Sequence, residues 1–161
     1  MLDYQLDYLD RELLQELGLN AKIPFTQLAE KLRISNSLVH QRVNKLKDAG
    51  ILGDAVFKLD PEKLGYSTSA YVLIMLSHGK KGVEELMNAL KEIPEIVECA
   101  NIAGRYDLMV KIYARDNAHL RDILYDRIDK LDGVEGTNTI ISFEVAFSRG
   151  LSPMAALKKE K

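Results

Sequence analysis

The stretch that decides the fold of the N-terminal part is FTQLAEKLRISNSLVHQRVNKLKDAG, residues 25–50. Apolar side chains recur in it at the spacing of two amphipathic helices, Leu28, Ala29 and Leu32 on the first and Val39, Val43 and Leu46 on the second. Between them, Ser35 is placed to cap the second helix, because its hydroxyl can accept a hydrogen bond from a free N–H of the first turn. Two short helices joined by a tight turn, with the small Ala29 where they must cross, predict a helix-turn-helix unit.

A further helix is predicted in front of this stretch. Its leucines recur at three- and four-residue steps, at Leu6, Leu9, Leu13 and Leu17. Asp7 can serve as the N-cap and Asp10 lies in the first turn, so the helix is expected from Asp7 to about Leu17, with Gly18 as the C-cap residue. Pro24 then opens the next helix, because its missing N–H costs nothing in a first turn.

The net charge of -2 conceals an uneven distribution. Acidic side chains dominate residues 1–16, namely Asp3, Asp7, Asp10, Glu12 and Glu16 against Arg11 alone. Basic side chains occupy residues 31–47 without any acid, namely Lys31, Arg33, Arg42, Lys45 and Lys47. On charge alone, a basic helix that faces solvent explains this run as well as a nucleic-acid contact does.

The polar face of the last of these helices decides between the two explanations. Ser37, Gln41, Asn44 and Lys45 fall opposite its apolar stripe. In a major groove, Ser, Gln and Asn side chains read base edges, while lysines neutralise phosphates. The pattern therefore favours binding of double-stranded DNA over a solvated or protein-docking helix. The DNA-binding surface that we predict consists of Ser35, Asn36, Ser37, His40, Gln41, Arg42, Asn44, Lys45 and Lys47.

Two members of this surface have an alternative role. Arg42 lies beside the apolar stripe, so it either contacts a phosphate or packs its stem as a structural residue. His40 lies on the helix flank and is not interpreted as a metal ligand. No cluster with metal-ligand spacing occurs in the sequence, so we expect neither a metal nor a cofactor.

The second half of the chain shows one pattern twice. From Ser67 onward, a strand-like segment, a segment of helical spacing and another strand-like segment follow one another, and the order returns roughly 38 residues later. Two βαβ units in series predict a four-stranded antiparallel sheet covered by two helices. The fold class is therefore α+β, with an N-terminal helix-turn-helix (winged-helix-like) domain plus a C-terminal ferredoxin-like βαββαβ domain.

The face of this sheet that the helices leave uncovered is predicted to be unusually apolar. The first strand carries apolar residues on both sides, with Ala70, Val72, Ile74 and Leu76 on one and Tyr71, Leu73 and Met75 on the other. A face of this kind is rarely left in water, so we expect it to be covered by a second copy in a sheet-to-sheet homodimer.

Four segments follow from these assignments. A helix-turn-helix domain is predicted over 1–53, a hinge with a short strand (AVFKL) over 54–66, an oligomerisation and effector domain over 67–149, and a frayed tail over 150–161. The sequence has neither an apolar run of membrane-spanning length nor a signal core, and its single cysteine, Cys99, is expected to be buried. These features predict a cytoplasmic protein without a membrane partner.

A polar island, Gly104-Arg105-Tyr106-Asp107, interrupts two strand-like segments of the second domain. Asp107 can hold an α-amino group and Tyr106 can pack on a ligand, while Thr137 and Thr139 on the last strand can bind a carboxylate. The same residues are also ordinary turn and strand formers. From the residues alone, both interpretations stay open.

The sequence as a whole resembles the Lrp/AsnC, or feast/famine, family of transcriptional regulators. The resemblance covers nearly the whole chain and rests on LDYLDRELLQEL, QLAEKLRISNSLVHQRVNKLKDAGIL, KLDPEKLGY, AGRYDLMVKIY and DGVEGTNTIISF, in family order and spacing. It departs from many relatives at Lys22, Arg33 and Leu38, where arginine, glycine and threonine are frequent.

The resemblance implies a homo-oligomer, a dimer that often assembles into tetramers or octamers, with an amino-acid effector at the interface between dimers. Mapped onto this chain, the effector residues are Gly104, Arg105, Tyr106, Asp107, Thr137 and Thr139. The expected function is a sequence-specific DNA-binding transcriptional regulator whose assembly or DNA affinity responds to that effector. The alternative is an architectural DNA-binding protein without an effector. An enzyme is not expected, because the three histidines and Cys99 show no catalytic arrangement.

Overall fold

The computed structural model describes residues 4–77 and 82–154. It divides into two compact units, one formed by the chain up to Phe57 together with the segment from Phe147 onward, the other by Lys58–Ala146. Among the described residues, no helix is long and apolar enough to cross a membrane.

The first unit contains three helices, α1 (Tyr8–Leu19), α2 (Phe25–Leu32) and α3 (Asn36–Asp48). Their apolar stripes meet in one core, formed by Leu13, Leu17, Leu28, Ala29, Val39 and Val43. The helix-turn-helix prediction is confirmed, because these are the positions that the sequence periodicity places inward.

The start of α1 is fixed by a reciprocal pair of caps. The Asp10 N–H donates to Asp7 Oδ1 (2.8 Å) and the Asp7 N–H donates to Asp10 Oδ2 (3.2 Å). The predicted end is wrong: Gly18 lies inside the helix, which continues to Leu19 because the Asn20 N–H still reaches the Glu16 carbonyl at 2.9 Å. A glycine lowers helix propensity without ending a helix whose next hydrogen bond can form.

The predicted cap of α3 is present, because the Ser35 hydroxyl accepts a hydrogen bond from the Leu38 N–H at 3.2 Å. Pro24, predicted in the first turn of α2, instead lies just before that helix as its N-cap. Arg33 ends α2 in the left-handed region (φ 54), which lets the Ile34 N–H bond to the Ala29 carbonyl at 3.0 Å.

The second unit is a four-stranded antiparallel sheet with helices on one face. Its elements are a short 3₁₀ turn (Glu62–Leu64), β1 (Thr68–Leu76), α4 (Val83–Lys91), β2 (Ile96–Asn101), β3 (Leu108–Ala114), α5 (Asn117–Asp122), a π-helical segment (Ile123–Ile128) and β4 (Val134–Ser142). The strand order is β2-β3-β1-β4. The ferredoxin-like βαββαβ prediction is confirmed.

The core of this unit lies between the sheet and the helices. Burial alternates strictly along β3 and through the middle of β1, so that one face of each strand is inaccessible. The fully buried strand residues are Ala70, Val72, Ile74, Leu108, Val110, Ile112 and Ala114. Cys99 packs against this core, half-buried rather than fully enclosed, and burial raises the pKa of its thiol.

The second helix of this domain departs from the single regular helix that its spacing predicts. After α5, residues Ile123–Ile128 are π-helical, and the Asp129 N–H donates to the Leu124 carbonyl, five residues back, at 2.8 Å. In an α-helix, positions five apart point about 140° away from each other. The wider turn brings both Ile123 and Ile128 onto the sheet, where they are 1% and 0% exposed.

Two predicted strand segments do not pair. Residues 55–59 of the hinge form no strand. The strand-like pattern of VEGTNTIISFEVAF, residues 134–147, predicts a last strand up to Phe147, but the strand ends at Ser142. The apolar side chains of both segments are exposed, Val56 by 87% and Phe143 by 100%. A strand needs a hydrogen-bonding partner, and the described residues of the single chain offer none to either segment.

The beginning of the predicted tail is anchored to α1. Ser152 Oγ donates to Gln15 Oε1 at 2.9 Å, and an Arg11 guanidinium nitrogen donates to the Pro153 carbonyl at 2.8 Å. Residues 155–161, the rest of the tail predicted over 150–161, lie outside the described residues.

Candidate DNA-binding surface and effector site

The outer face of α3 has the polar composition that a groove-reading helix needs. Val39, Val43 and Leu46 face the core at 0–2% exposure. Of the predicted residues in α3, seven are exposed, namely Asn36, Ser37, His40, Gln41, Asn44, Lys45 and Lys47. The structure therefore places these predicted residues on the solvent side of one helix, where they can enter a groove together.

Two residues of the predicted DNA-binding surface, Ser37 and His40, are held in place by contacts within the first unit. Ser35 is exposed but caps α3, and its hydroxyl lies 3.0 Å from that of Ser37. The His40 ring packs edge-on against the ring of Phe25, with centroids 4.7 Å apart. The orientations of Ser37 and His40 are thus restricted before any ligand arrives, which lowers the entropy lost on binding.

Arg42 has a structural role in the first unit. Its guanidinium donates to Asp10 Oδ1 at 2.8 Å and also to Asp7 Oδ2. Asp10 is 1% exposed, and its other oxygen also accepts from the Tyr4 hydroxyl at 3.2 Å. Of the two roles left open for Arg42, the geometry supports the structural one, because both its ion-pair partners belong to the same unit.

Ion pairs within the first unit also reduce the number of cations among residues 31–47 that are available to DNA. Lys31 pairs with Glu16 of α1, and Arg42 pairs with Asp10 of α1 and with its N-cap Asp7. Two of the five cations are therefore already neutralised within the first unit. Within the described part of the chain, Arg33, Lys45 and Lys47 form no ion pair. These three side chains are the cations of residues 31–47 that remain for a polyanion.

In the second unit, the predicted effector turn is tied to the sheet through Asp107. Its N–H donates to the Ile74 carbonyl and its carbonyl accepts from the Ile102 N–H, both at 2.9 Å. Its Oδ2 accepts from the Leu76 N–H, also at 2.9 Å. The other carboxylate oxygen receives no hydrogen bond from the described residues and is held in a fixed position.

The rest of the turn is more open. Gly104 adopts φ 142, a left-handed conformation that favours glycine. The Arg105 guanidinium lies 5.7 Å from the centroid of the Tyr106 ring, and the Tyr106 hydroxyl accepts from Asn138 Nδ2 at 3.3 Å. Asn138 was missed by sequence reasoning, although the strand alternation around it would have placed it on the opposite face from its neighbours.

Thr137 and Thr139 do not join this turn within one chain. Their register partners on β1 are Ile74 and Val72, both on the helix-covered face of the sheet. The Thr137 hydroxyl donates to Asp129 Oδ1 at 3.2 Å. One chain therefore does not bring the six predicted effector residues together, since Asn138, which bonds to Tyr106, points to the other face.

A cleft of about 550 Å³ opens at the same end of the sheet, on the helix-covered side. Its apolar lining includes Leu76, Leu86 and Leu131, and its polar lining includes Ser77 and Asp132. This volume lies within the range of roughly 300–1,000 Å³ typical of small-molecule sites.

A helix-turn-helix unit with a basic, hydrogen-bonding recognition helix, followed by a ferredoxin-like unit with a polar turn, defines a DNA-binding regulator with a ligand-binding domain. Family models match both parts, the Lrp/AsnC ligand binding domain over residues 69–151 and a winged helix-turn-helix DNA-binding domain over residues 6–52. The chain belongs to the Lrp/AsnC family of transcriptional regulators.

Individual relatives agree with this assignment. The HTH-type transcriptional regulator FL11 of Pyrococcus furiosus is 32% identical over 140 residues, which cover 87% of this chain and 91% of that protein. The regulatory protein AsnC of Escherichia coli K12 is 30% identical over 153 residues, 95% of this chain and all of that protein. The solved structure of E. coli AsnC superposes with a TM-score of 0.86 at 29% identity, covering 93% of this chain and 100% of the other.

Proposed function

We propose that this regulator reads specific DNA sequences through α3. Ser37, Gln41 and Asn44 would contact base edges, and Lys45 and Lys47 would neutralise phosphates on either side of the groove. The observation that supports this is the exposure of Ser37, Gln41, Asn44 and Lys45 on the face of α3 opposite its buried stripe, with Lys47 exposed on the flank of the same helix. Asn36 and His40 border the same face, and Ser35 contributes by capping the helix.

We also propose that the second unit binds a free amino acid at the turn around Asp107. The observation that carries this is the divided use of the carboxylate, because one oxygen holds the Leu76 N–H while the other is available to an ammonium group. Arg105 is exposed beside it and forms no ion pair with the described residues, so it can receive a carboxylate. A fixed anion next to a cation complements a zwitterion.

The effector site would be completed by a second copy of the chain. Thr137 and Thr139 lie on the other face of the sheet from the turn's partner Asn138, so a site that uses both groups needs more than one chain. The uncovered face of β1 and β3 carries partly buried apolar side chains, including Leu73, Met75 and Met109, which a homodimer would cover. Binding would shift assembly or DNA affinity by favouring one oligomer over another.

The experiment is a thermal-shift screen with the twenty amino acids, followed by matched variants. A binder at a hundredfold excess over its Kd should stabilise the protein by about 2.7 kcal/mol. Asp107→Asn keeps an oxygen for the Leu76 N–H but removes the charge, so it should lose the shift. Asp54→Asn, which changes an exposed aspartate of the hinge in the same way, should keep it.

Two other results have distinct meanings. If Asp132→Asn loses the shift and Asp107→Asn keeps it, the effector binds in the cleft instead of at the turn. If no amino acid shifts the wild-type protein, the architectural alternative without an effector is favoured. The proposed function requires neither a cofactor nor catalysis, and we expect the protein to act in the cytoplasm.

A further inference from the structure

Arg33 has an unusual backbone conformation for its residue type. Among the described residues it is the one non-glycine position with positive φ, at 54. An L-residue is strained there, because its Cβ approaches the neighbouring carbonyl oxygen. At such a helix end, glycine is the residue that relieves the strain.

At the other described positions where the backbone of this chain has positive φ, the residue is a glycine. Gly50 follows α3 at φ 67, Gly65 follows the 3₁₀ turn at φ 89, and Gly133 precedes β4 at φ 92. Arg33 is therefore an exception within its own protein. The backbone hydrogen bonds of this helix end would form equally well with glycine, and the Arg33 side chain forms no hydrogen bond or ion pair with the described residues, so no contact of the side chain within the described part of the chain accounts for an arginine here.

The position of Arg33 indicates what its side chain is for. It is exposed and stands two residues before Ser35, the N-cap of the recognition helix. Lys45 and Lys47 lie in the last turn of the same helix, so cations that form no ion pair with the described residues flank it at both ends. A helix of 13 residues is about 20 Å long, enough to bring its two ends to opposite sides of a major groove about 12 Å wide.

We propose that Arg33 binds a backbone phosphate of DNA at the N-terminal end of the recognition helix. This rests on the DNA-reading role proposed for α3 and adds to it a residue outside the helix. A phosphate is favoured over a base edge because Arg33 lies on the turn, whereas the groove-facing side chains lie on the helix. The planar guanidinium can donate two parallel hydrogen bonds to phosphate oxygens.

The test compares three substitutions of Arg33 in the full-length chain by the salt dependence of DNA binding. For each chain that contacts the DNA, Arg33→Ala and Arg33→Gly should each reduce the slope of log K against log salt by about 0.9, and lower affinity on the order of tenfold near 0.1 M salt. Arg33→Lys should keep the wild-type slope. Arg33→Gly should also raise the melting temperature by about 2–4 °C, whereas Arg33→Ala should not.

Because Arg33→Gly should raise the melting temperature while it lowers the affinity for DNA, loss of folding cannot be the cause of its weaker binding. Lys45→Ala serves as the reference, because a phosphate contact at the other end of α3 should also reduce the slope. If Lys45→Ala reduces the slope and both Arg33→Ala and Arg33→Gly keep it, the inference is overturned and the proposed surface stands. If Lys45→Ala, Arg33→Ala and Arg33→Gly all keep the wild-type slope, the proposed DNA-binding surface on α3 is itself wrong.

Discussion

The guanidinium of Arg42 in α3 donates to Oδ1 of Asp10 in α1 at 2.8 Å, and Asp10 is the one buried charged side chain among the described residues. The acidic run in α1 and the basic run in α3, which look like opposed electrostatic surfaces in the sequence, therefore meet partly inside the first unit. The contact fixes the recognition helix relative to α1. As a result, the Arg42 guanidinium is not available to bind DNA.

Arg42→Ala should destabilise the first unit strongly, because Asp10 would stay buried without its cation. A loss of about 3 kcal/mol in the free energy of unfolding is expected from broken buried pairs. Urea denaturation monitored by circular dichroism measures it. Lys45→Ala, an exposed cation without an ion pair, should change the value by less than about 0.5 kcal/mol. A loss equal to that of the control would mean that the pair contributes nothing.

The first unit should also lose stability in acid. Burial opposes ionisation of Asp7, but the hydrogen bonds from the Asp10 N–H and the Arg42 guanidinium outweigh it and lower the pKa of the Asp7 carboxyl. A carboxyl whose pKa is lower in the folded state stabilises fully above its unfolded pKa of 3.8. That stabilisation is lost as pH falls below this value toward the folded pKa.

Denaturation midpoints between pH 6 and pH 2.5 test this expectation. The wild type should fall more steeply below about pH 4 than Asp7→Asn, which has no carboxyl to titrate. Parallel curves for the two proteins would show that Asp7 is not the responsible group.

Much of the fold could be predicted because its patterns are local. The stripe of Val39, Val43 and Leu46 fixes which side of α3 is inward, and Asp7 and Ser35 mark helix starts through hydrogen bonds only three residues long. The predictions of the fold that were wrong are those in which a local sequence signal competes with another interaction, or in which an element depends on a partner strand. Gly18 remained helical because a hydrogen bond past it was available, and residues 55–59 lacked a partner strand.

The site was harder to predict because the use of each polar group depends on distant residues. Nothing near Arg42 in the sequence shows that Asp7 and Asp10, more than thirty residues away, bind it. The sequence predicts Asp107 to be a ligand group, but its hydrogen bond with the Leu76 N–H becomes visible only once β1 and β3 pair. The strain at Arg33 is a property of the backbone that the residue type conceals.

Asp107→Ala should loosen the turn, whereas Asp107→Asn should not. Alanine leaves the Leu76 N–H without its acceptor, at a cost of about 1 kcal/mol in the free energy of unfolding. Asparagine can accept the same hydrogen bond, so its value should lie within about 0.5 kcal/mol of the wild type. Hydrogen exchange at the Leu76 amide provides a local measurement, and equal exchange in all three proteins would exclude this anchoring role.

Leu73→Glu should convert the proposed homodimer into a monomer. Leu73 lies on the uncovered face of β1, where a buried carboxylate would have no compensating partner. Sedimentation equilibrium gives the mass directly. Asn88→Glu adds the same charge to an exposed position of α4, on the helix-covered side, and should leave the assembly unchanged. A dimer that survives Leu73→Glu would show that copies associate through another surface.

Gln41→Ala should weaken binding to the specific site far more than binding to unrelated DNA. Gln41 is exposed in the middle of α3, and a side-chain amide that reads a base edge contributes about 1–3 kcal/mol of discrimination, roughly 5- to 150-fold. Fluorescence anisotropy with a selected operator and a scrambled duplex measures the two affinities at one salt concentration. Asn88→Ala, in the other unit, should bind both duplexes like the wild type, and the mass of both variants should stay that of the wild type. If Gln41→Ala keeps the full preference for the operator, sequence is read by a different face of α3 or by the shape of the DNA.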